Sequence, residues 1–244
     1  MKIFTTAAIK GGTGKSTTAA ALSQAAAASG KKVLAIDLDP AGNLSMMLCA
    51  DLNTGGSYDL LHGTDPEQLI QKTEQGVDVI PASTNLATEI SKAGSAFRLQ
   101  AALEPIRKRY QYVFIDTPPT MGELVYNALQ ASTGLIIPLE ADTSSVQGLY
   151  RICDVADGIR RTNPDLKITG VILTRYDARA KLNKYLRATI EEAGKEAGAP
   201  FLGVIRPGVA IKEAQALQRS LYQYAPKSNP AQDYMDLFKT ISRK

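Results

Sequence analysis

The octapeptide KGGTGKST at residues 10–17 decides the fold of this chain. An apolar run at residues 3–9 precedes it, and a run of small residues with helical spacing at residues 16–29 follows it. Glycines let the backbone N–H groups of such a loop turn toward one centre without Cβ collisions, and the positive end of the next helix points at the same place. The order of strand, glycine-rich loop and helix therefore predicts a phosphate-binding loop.

Each polar side chain of this loop has an expected task at a bound nucleotide. Lys15 is expected to reach the β- and γ-phosphates, Ser16 to offer its hydroxyl to Mg²⁺, and Thr17 to bond another phosphate oxygen. ATP and Mg²⁺ are thus the predicted ligands. The loop residues predicted to bind the nucleotide are Gly11, Gly12, Thr13, Gly14, Lys15, Ser16 and Thr17.

The loop departs from the usual GxxxxGK[ST] pattern. Ile9 stands in the place of the first glycine, and Lys10 adds another lysine. An added cation has a purpose where negative charge builds up on a transferring phosphoryl group, and a neighbouring subunit can supply it, as arginine fingers do. Lys10 therefore indicates a homodimer bridged by ATP, whereas the plainer alternative is a solvated loop lysine.

Short β-branched or apolar runs alternate with helical patterns along the rest of the chain. This alternation predicts an α/β fold with a doubly wound, mostly parallel sheet and helices on both faces. No repeat or low-complexity linker divides residues 1–244, so we expect a single P-loop domain. The strands are predicted at residues 3–9, 32–38, 77–81, 112–115, 133–139, 168–174 and 201–205, and the main helices at residues 16–29, 98–110, 146–162 and 181–197.

The remaining segments are less regular in sequence. Residues 41–75 are rich in Gly, Asn, Asp and Thr, and they contain short helical patterns at residues 58–61 and 66–72. Near the C-terminus, apolar residues recur at helical spacing within residues 232–241. We expect this last segment to be a helix that packs on the sheet rather than one that binds a membrane.

Aspartates follow two of the predicted strands. Asp37 and Asp39 come at the end of the second strand, two residues apart and so on the same side, and Asp116 ends another strand as in a Walker B element. Phosphoryl transfer to water requires that the metal is held and that the attacking water lies in line. Asp116 is predicted to hold Mg²⁺ mostly through water. Of Asp37 and Asp39, one is expected to support the metal shell and the other to orient the water.

The composition favours a cytoplasmic protein. The balance of 28 basic and 24 acidic residues gives a net charge of +4, which permits a nucleic-acid partner without requiring one. Cys49 and Cys153 form no CxxC pair, which argues against a disulfide framework or a zinc cluster. Met1 leads directly into an apolar strand, and no stretch approaches about 20 consecutive apolar residues, so we expect neither a signal peptide nor a membrane span.

Four segments together resemble the ParA/MinD group of deviant Walker ATPases, and most of all the ParA (Soj-like) DNA-partition ATPases. This resemblance covers nearly the whole chain. It implies a sandwich dimer that forms with ATP, and a weak ATPase activity stimulated by a ParB-type partner. The segments are KGGTGKST at residues 10–17, DLDPAGNLS at 37–45, FIDTPPTMGELVYNAL at 114–129 and LTRYDAR at 173–179.

The resemblance also implies roles for single residues. Lys10 would cross to the phosphates of the other subunit and Asp39 would position the water, which leaves Asp37 for the metal and makes Lys10, Lys15 and Asp39 the expected catalytic residues. Asn127 corresponds to a polar residue near the nucleotide and the dimer interface. The residues that correspond to the adenine pocket are Pro207 and Val209.

The chain departs from the family pattern in two places. Ala41 stands where a glutamine is common, and residues 205–211 read IRPGVAI in place of IPR-x-V-R-L. Within that segment, Ala210 replaces one of the arginines by which the family contacts DNA. Arg179 matches another of those arginines.

A predicted helix carries the expected contacts to DNA. Arg179 precedes this helix, and Lys181, Lys184 and Arg187 share one broad face of it, which suits the sequence-independent DNA binding of ParA dimers. From the residues alone, an ordinary solvated surface is the alternative. The apolar stripe predicted on the opposite face consists of Leu182, Tyr185, Leu186 and Ile190.

The predicted function is a partition ATPase that segregates or positions DNA and associates with the nucleoid when ATP is bound. The main alternative is a MinD-like ATPase that positions its cargo from a membrane. An iron–sulfur carrier on the same scaffold would need cysteine ligands, which Cys49 and Cys153 do not supply in number or spacing. A biosynthetic ligase would be expected to show a substrate pocket.

Overall fold

The computed structural model describes residues 1–88 and 95–243 and contains an eight-stranded sheet. The strand order is β3-β4-β2-β5-β1-β6-β7-β8, and all pairings are parallel except that of β3 with β4. The strands are β1 (Lys2–Thr6), β2 (Val33–Asp37), β3 (Gln71–Lys72), β4 (Asp78–Ile80), β5 (Tyr112–Asp116), β6 (Gly134–Leu139), β7 (Lys167–Leu173) and β8 (Phe201–Val204).

Helices connect these strands and cover the sheet. Two short 3₁₀ helices at Thr84–Thr88 and Ser95–Phe97 accompany them. The α-helices are α1 (Lys15–Ala28), α2 (Asn43–Met47), α3 (Ser57–Leu61), α4 (Pro66–Leu69), α5 (Arg98–Leu103), α6 (Glu123–Ala131), α7 (Ser145–Ile159), α8 (Lys181–Glu196), α9 (Ala210–Ala216), α10 (Leu221–Tyr224) and α11 (Asn229–Arg243).

The order of the strands determines where a ligand can bind. β1 lies between β5 and β6, so the loop after β1 leaves the sheet at its centre. In the ladder, Thr6 pairs with Asp116, and Asp116 pairs with Asp37. The carboxyl ends of these parallel strands meet at one edge, where open α/β sheets bind ligands. The predicted fold class is confirmed.

Alternation along the strands supplies an apolar surface to both faces of the sheet. Phe4, Val33 and Ala35 pack with α1 and α11 on one face, whereas Ile3 and Leu34 pack with α3, α5 and α6 on the other. Successive side chains of a strand point to opposite faces, so each strand is buried from both sides. This double burial explains the nearly continuous apolar runs in the sequence.

The last helix closes one face of the sheet, as predicted. Tyr234, Leu237, Phe238 and Ile241 of α11 are buried in the cluster that contains α1. The hydroxyl groups of Tyr234 and Thr18 lie 3.1 Å apart and share a hydrogen bond inside the core. No helix within the described ranges is long and apolar enough to cross a bilayer.

Three local predictions were wrong. The helix predicted at residues 98–110 ends at Leu103, because Pro105 lacks an N–H group and its ring crowds the preceding turn. The helix predicted at residues 66–72 ends at Leu69, because Gln71 and Lys72 pair with β4 as an antiparallel edge strand.

The third error concerns the apolar stripe predicted on α8. Leu186 and Ile190 are buried there, but Leu182 and Tyr185 are 64% and 70% exposed. Both exposed residues lie in the first turns of the helix. Periodicity predicts which residues share a face but not how much of that face a neighbouring element covers.

Gly134 of β6 is closely packed, which predicts how a substitution there changes the stability of the fold. An added Cβ at Gly134 would lie 2.5 Å from Thr169 Oγ1 and 2.7 Å from the Phe4 ring. We expect Gly134→Ala to lower the free energy of unfolding by about 1–3 kcal/mol, the usual cost of overpacking a core. Urea denaturation followed by circular dichroism measures this change.

Gly148→Ala is the matched control. Gly148 lies in α7, where an added Cβ meets nothing within 4 Å, and alanine favours a helix by about 1 kcal/mol over glycine. This variant is expected to be as stable as the wild-type chain or more so. Equal losses of stability in the two variants would contradict the packing argument.

Candidate nucleotide-binding site

The loop between β1 and α1 has the backbone of an anion cradle. Gly12 and Gly14 adopt φ values of 78° and 90°, in the left-handed region that favours glycine. A Cβ at Gly14 would also come within 3.3 Å of Thr174 Cγ2. The N-cap residue of α1 is Gly14, which has no side chain to accept from the first N–H groups of the helix. These N–H groups are available to a bound anion.

Lys15 is the cation of this cradle and is only 6% exposed. Burial lowers the pKa of its ammonium group, and the charges of Asp116 and Asp39 partly oppose this shift. A buried ammonium is stable when negative charge surrounds it. Lys15 begins α1 directly after Gly14 and lies near the charges of Asp116 and Asp39. Its contact with the phosphates stays a prediction.

Asp37 ends β2 in a fully buried position. Its Oδ2 accepts hydrogen bonds from the N–H and hydroxyl groups of Ser45 at 2.8 and 2.7 Å, and its Oδ1 accepts one from the N–H of Asp39 at 3.1 Å. Burial nevertheless raises the pKa of Asp37 to about 6, against the opposing effect of these hydrogen bonds. These three hydrogen bonds orient the carboxylate.

Asp116 pairs with Asp37 across the ladder and is also fully buried. Burial and the neighbouring Asp37 raise its pKa well above the ordinary value, against the influence of Ser16 and Lys15. Its Oδ2 has no hydrogen-bond partner within the described parts of the chain. An unpaired carboxylate oxygen beside a second carboxylate, with the Ser16 hydroxyl near, fits the all-oxygen surroundings that Mg²⁺ prefers.

Asp39 lies beyond the end of β2, so the strand's alternation does not set its direction. Its Oδ1 accepts a hydrogen bond from the N–H of Ala41 at 3.0 Å, and its carbonyl accepts one from Gly42 at 2.9 Å. The side chain is 9% exposed and contributes negative charge near Lys15. The structure thus places Asp39 at the cradle, held by a tight turn.

Lys10 contacts its own chain. Its Nζ donates to Asp142 Oδ2 at 2.5 Å, and this hydrogen bond raises the pKa of Lys10. Burial would raise the pKa of Asp142, but hydrogen bonds from Lys10, Ser144 and Ser145 lower it to about 2. The Lys10 side chain is 49% exposed. Its crossing to a second subunit stays a prediction.

A cleft lies beside Gly14 and Thr17, at the end of the phosphate loop. Pro207 lines it, whereas Val209 is 69% exposed and does not. Asn127 is buried in α6, where its amide accepts from the N–H of Leu99 and donates to Glu123. The contacts of Asn127 and Val209 with the nucleotide stay predictions. The cleft is lined by Gly14, Thr17, Thr174, Arg175, Ile205, Arg206, Pro207, Gly208, Ile211, Lys212, Gln215 and Tyr234.

The sequence reasoning missed residues at the ends of β6 and β7. Glu140 and Asp142 follow β6, and they form ion pairs with Arg175 and Lys10. Thr174 and Arg175 follow β7 and contact the phosphate loop itself. Polar residues that directly follow a buried strand are the sequence signal for these positions, as they are for the aspartates.

The predicted DNA residues lie on the same edge of the sheet, at the start of α8. Arg179 is 89% exposed but paired with Asp177, and Arg187 is paired with Glu191 and lies over the Phe201 ring. Lys181 and Lys184 are exposed. The basic face therefore exists, although carboxylates neutralise part of its charge.

Known proteins resemble this chain in sequence and in structure. A family model described as an AAA domain matches residues 1–168. The sporulation initiation inhibitor protein Soj of Bacillus subtilis is 34% identical, over 96% of this chain and 95% of Soj. The chromosome partitioning protein ParA of Caulobacter vibrioides is also 34% identical, over 99% of this chain and 94% of that protein.

Among solved structures, cobyrinic acid a,c-diamide synthase from Mycobacterium smegmatis, with a bound ATP analogue and magnesium, superposes with a TM-score of 0.82. It is 27% identical and covers 100% of this chain and 95% of its own. Because the AAA-domain match spans residues 1–168 and the partitioning proteins match nearly the whole chain, the protein belongs to the ParA/MinD group of P-loop ATPases, with the ParA and Soj partitioning proteins among its relatives.

Proposed function

We propose that this chain is a ParA-like partition ATPase. It binds ATP with Mg²⁺, dimerises around the nucleotide and binds DNA without sequence preference. A ParB-type partner then stimulates slow hydrolysis of ATP to ADP and phosphate, which releases the DNA. The observation that carries the proposal is the cradle itself, where buried Lys15 and Asp116, whose Oδ2 has no partner within the described residues, lie near the helix N-terminus that Gly14 begins.

Most residues of the site bind the phosphates or the metal ion, and one orients the attacking water. The N–H groups of residues 11–17 and the Lys15 ammonium hold the phosphates, and Ser16, Asp37 and Asp116 hold Mg²⁺. The metal neutralises charge on the phosphate oxygens when it is bound. Asp39 orients the attacking water, because its carboxylate is fixed at the cradle by the turn to Ala41.

In the dimer, Lys10 contacts the nucleotide of the other subunit. The hydrogen bond to Asp142 keeps the ammonium near the cradle of its own chain. Because the side chain is 49% exposed, it can exchange this carboxylate for the more strongly charged polyphosphate of a second subunit. A dimer bridged in this way lasts as long as the nucleotide remains uncleaved.

The DNA-binding surface is the start of α8. Lys181 and Lys184 are exposed there, with Arg179 just before them and Arg187 one turn later. Two such surfaces in a dimer would double the number of phosphates neutralised, and affinity for DNA rises steeply with that number. Dimerisation by ATP would thereby control DNA binding. The protein would be cytoplasmic and associate with the nucleoid in the ATP-bound state.

The packing of α11 favours this function over a MinD-like membrane ATPase. The apolar residues of α11 face α1 in the core, and its basic residues Lys239 and Arg243 lie toward the end of the helix. A membrane-binding helix would need an apolar face that is free to enter lipid. The described part of the C-terminal helix has already buried that face.

The first prediction for this function concerns Asp39. We expect Asp39→Ala to retain ATP binding and dimerisation but to reduce the hydrolysis rate by at least about 100-fold, because the attacking water loses its orientation. Phosphate release measures hydrolysis, and size-exclusion chromatography with light scattering measures the dimer.

Asp39→Asn removes the negative charge but keeps the turn, because the asparagine side-chain oxygen can still accept a hydrogen bond from the N–H of Ala41. It is expected to match the wild-type chain in ATP binding and to share the loss of hydrolysis. Loss of nucleotide binding in both variants would refute the role given to Asp39.

The second prediction uses the raised pKa of Asp116. Without Mg²⁺ and nucleotide, the buried carboxylate destabilises the fold, so Asp116→Asn is expected to raise the melting temperature at pH 7.5 by a few degrees. The gain is expected to vanish at low pH, where the carboxyl is protonated in both folded and unfolded chains, and to grow as the pH rises.

The same variant is expected to lose the increase in melting temperature that Mg²⁺ and ATP give the wild-type chain. Asp157→Asn is the control, because this aspartate of α7 is 60% exposed and paired with Arg160. A variant of Asp116 that gains no stability without ligand and keeps its full response to Mg²⁺ would contradict the assignment.

The third prediction tests the partition function itself. Binding to nonspecific duplex DNA is expected with ATP and not with ADP, and its affinity should fall steeply with salt. Reversing both charges, with Lys181→Glu and Lys184→Glu, is expected to weaken binding at least about tenfold and to flatten the salt dependence. Fluorescence anisotropy with a labelled duplex measures both quantities.

Two control variants complete this test. Lys31→Glu with Lys32→Glu changes the same charge just before β2, at the opposite edge of the sheet, and should leave DNA binding nearly intact. Lys10→Ala should prevent both dimerisation and DNA binding. Equal, weak binding with ATP, with ADP and without nucleotide would overturn the proposed function.

A further inference from the structure

The end of β7 contacts the phosphate loop at two successive carbonyl groups. The Thr174 hydroxyl donates a hydrogen bond to the carbonyl of Thr13 at 2.8 Å. The Arg175 guanidinium donates one to the carbonyl of Gly12. Two adjacent side chains thus hold two adjacent peptide groups of the loop that carries the phosphates.

These contacts determine which way the loop's N–H groups point. In a trans peptide unit, the carbonyl oxygen and the N–H of the next residue lie on opposite sides of the bond. Holding the carbonyls of Gly12 and Thr13 toward β7 therefore turns the N–H groups of Thr13 and Gly14 away from β7. N–H groups held in one direction form the concave cradle that binds an anion.

The backbone of Arg175 has a conformation that is unfavourable for a residue with a side chain. Its φ of 52° lies in the left-handed region, which costs a non-glycine residue of order 1–2 kcal/mol. Glycine would adopt this conformation without the cost. An arginine at such a position is explained by what its guanidinium does rather than by local preference.

A second contact fixes that guanidinium in place. Arg175 also pairs with Glu140, which follows β6, and it lines the cleft beside Gly14 and Thr17. The Arg175 side chain is 61% exposed, so water screens the charge and the ion pair adds orientation more than stability. Glu140, Arg175 and Gly12 form a chain of contacts from β6 to the loop.

We propose that Thr174 and Arg175 form a carbonyl clamp that preorganises the phosphate loop for a nucleoside polyphosphate. Both are positioning residues, since they act through the peptide groups of Gly12 and Thr13. The inference rests on the proposed function in that its ligand is an adenine nucleotide. Without the clamp, the loop must pay the cost of ordering its N–H groups when the nucleotide binds.

The decisive variant is Arg175→Gly, which removes the guanidinium half of the clamp and suits the left-handed backbone. We expect the Kd for ADP with Mg²⁺, measured by isothermal titration calorimetry, to rise about tenfold, which corresponds to about 1.4 kcal/mol. The melting temperature of the ligand-free variant is expected to equal that of the wild-type chain or exceed it. A residue with a merely structural role would not weaken binding while leaving stability unchanged.

A pair of variants tests the other half of the clamp. Thr174→Val keeps the shape but loses the hydroxyl, and it is expected to weaken ADP binding by a similar factor. Thr174→Ser restores the donor and is expected to restore most of the affinity. In steady-state hydrolysis, both Arg175→Gly and Thr174→Val are expected to raise KM more than they lower kcat, because the clamp acts on the loop before chemistry.

Gln218→Gly is the matched control, because Gln218 also has a positive φ, of 53°, but follows α9 and does not line the cleft. It is expected to leave the Kd for ADP unchanged. If Arg175→Gly and Thr174→Val bind ADP as the wild-type chain does, the clamp is refuted and the proposed ATPase stands. A wild-type chain that binds no adenine nucleotide would overturn both.

Discussion

The burial of charge at the centre of the sheet is the constraint on which the rest of this structure depends. Lys15, Asp37 and Asp116 are all less than one-tenth exposed, and only one of the three is a cation. In the absence of ligand, burial raises the pKa values of both aspartates and lowers that of Lys15, whose charge the aspartates only partly stabilise. The sheet, through the pairing of Asp37 and Asp116 across β2 and β5, holds these groups together at a cost in stability. Such a cluster becomes favourable when a metal ion and an anion complete it, which is the arrangement expected of a binding site rather than of a core.

A ring of weaker contacts surrounds this centre and controls its shape. The polar residues after β6 and β7 bind Lys10 and two carbonyl groups of the phosphate loop, so the loop is supported from the side that faces away from β2. The contacts made by side chains alone are more exposed than the central charges and are screened by water. These exposed contacts can therefore rearrange at a lower cost in free energy than the contacts of the buried aspartates.

Much of this arrangement could be predicted from the sequence, and the failures have physical reasons. The glycines of the motif predict a loop with backbone angles that glycine adopts readily, and Gly12 and Gly14 have such angles in the structure. The helix that begins at Arg98 is shorter than its apolar period predicts, because Pro105 ends it. Leu182 and Tyr185 follow a helical pattern but extend past the surface that buries it, and a period cannot reveal the extent of a neighbour. The contacts of Thr174 and Arg175 join residues more than 150 positions apart, as the sequence separations of 161 and 163 show, and no local pattern encodes them.

The central position of β1 also has a consequence for how the protein folds. β1 pairs with β5 and β6, which lie more than 100 residues further along the chain, and α1 is covered by α11. The phosphate loop between β1 and α1 therefore depends on contacts between residues that are distant in sequence. Long-range pairing of this kind slows folding, because the entropy of closing a long loop must be lost before the contacts form. The nucleotide-binding motif is thus local in sequence, whereas the support that gives it its shape is not.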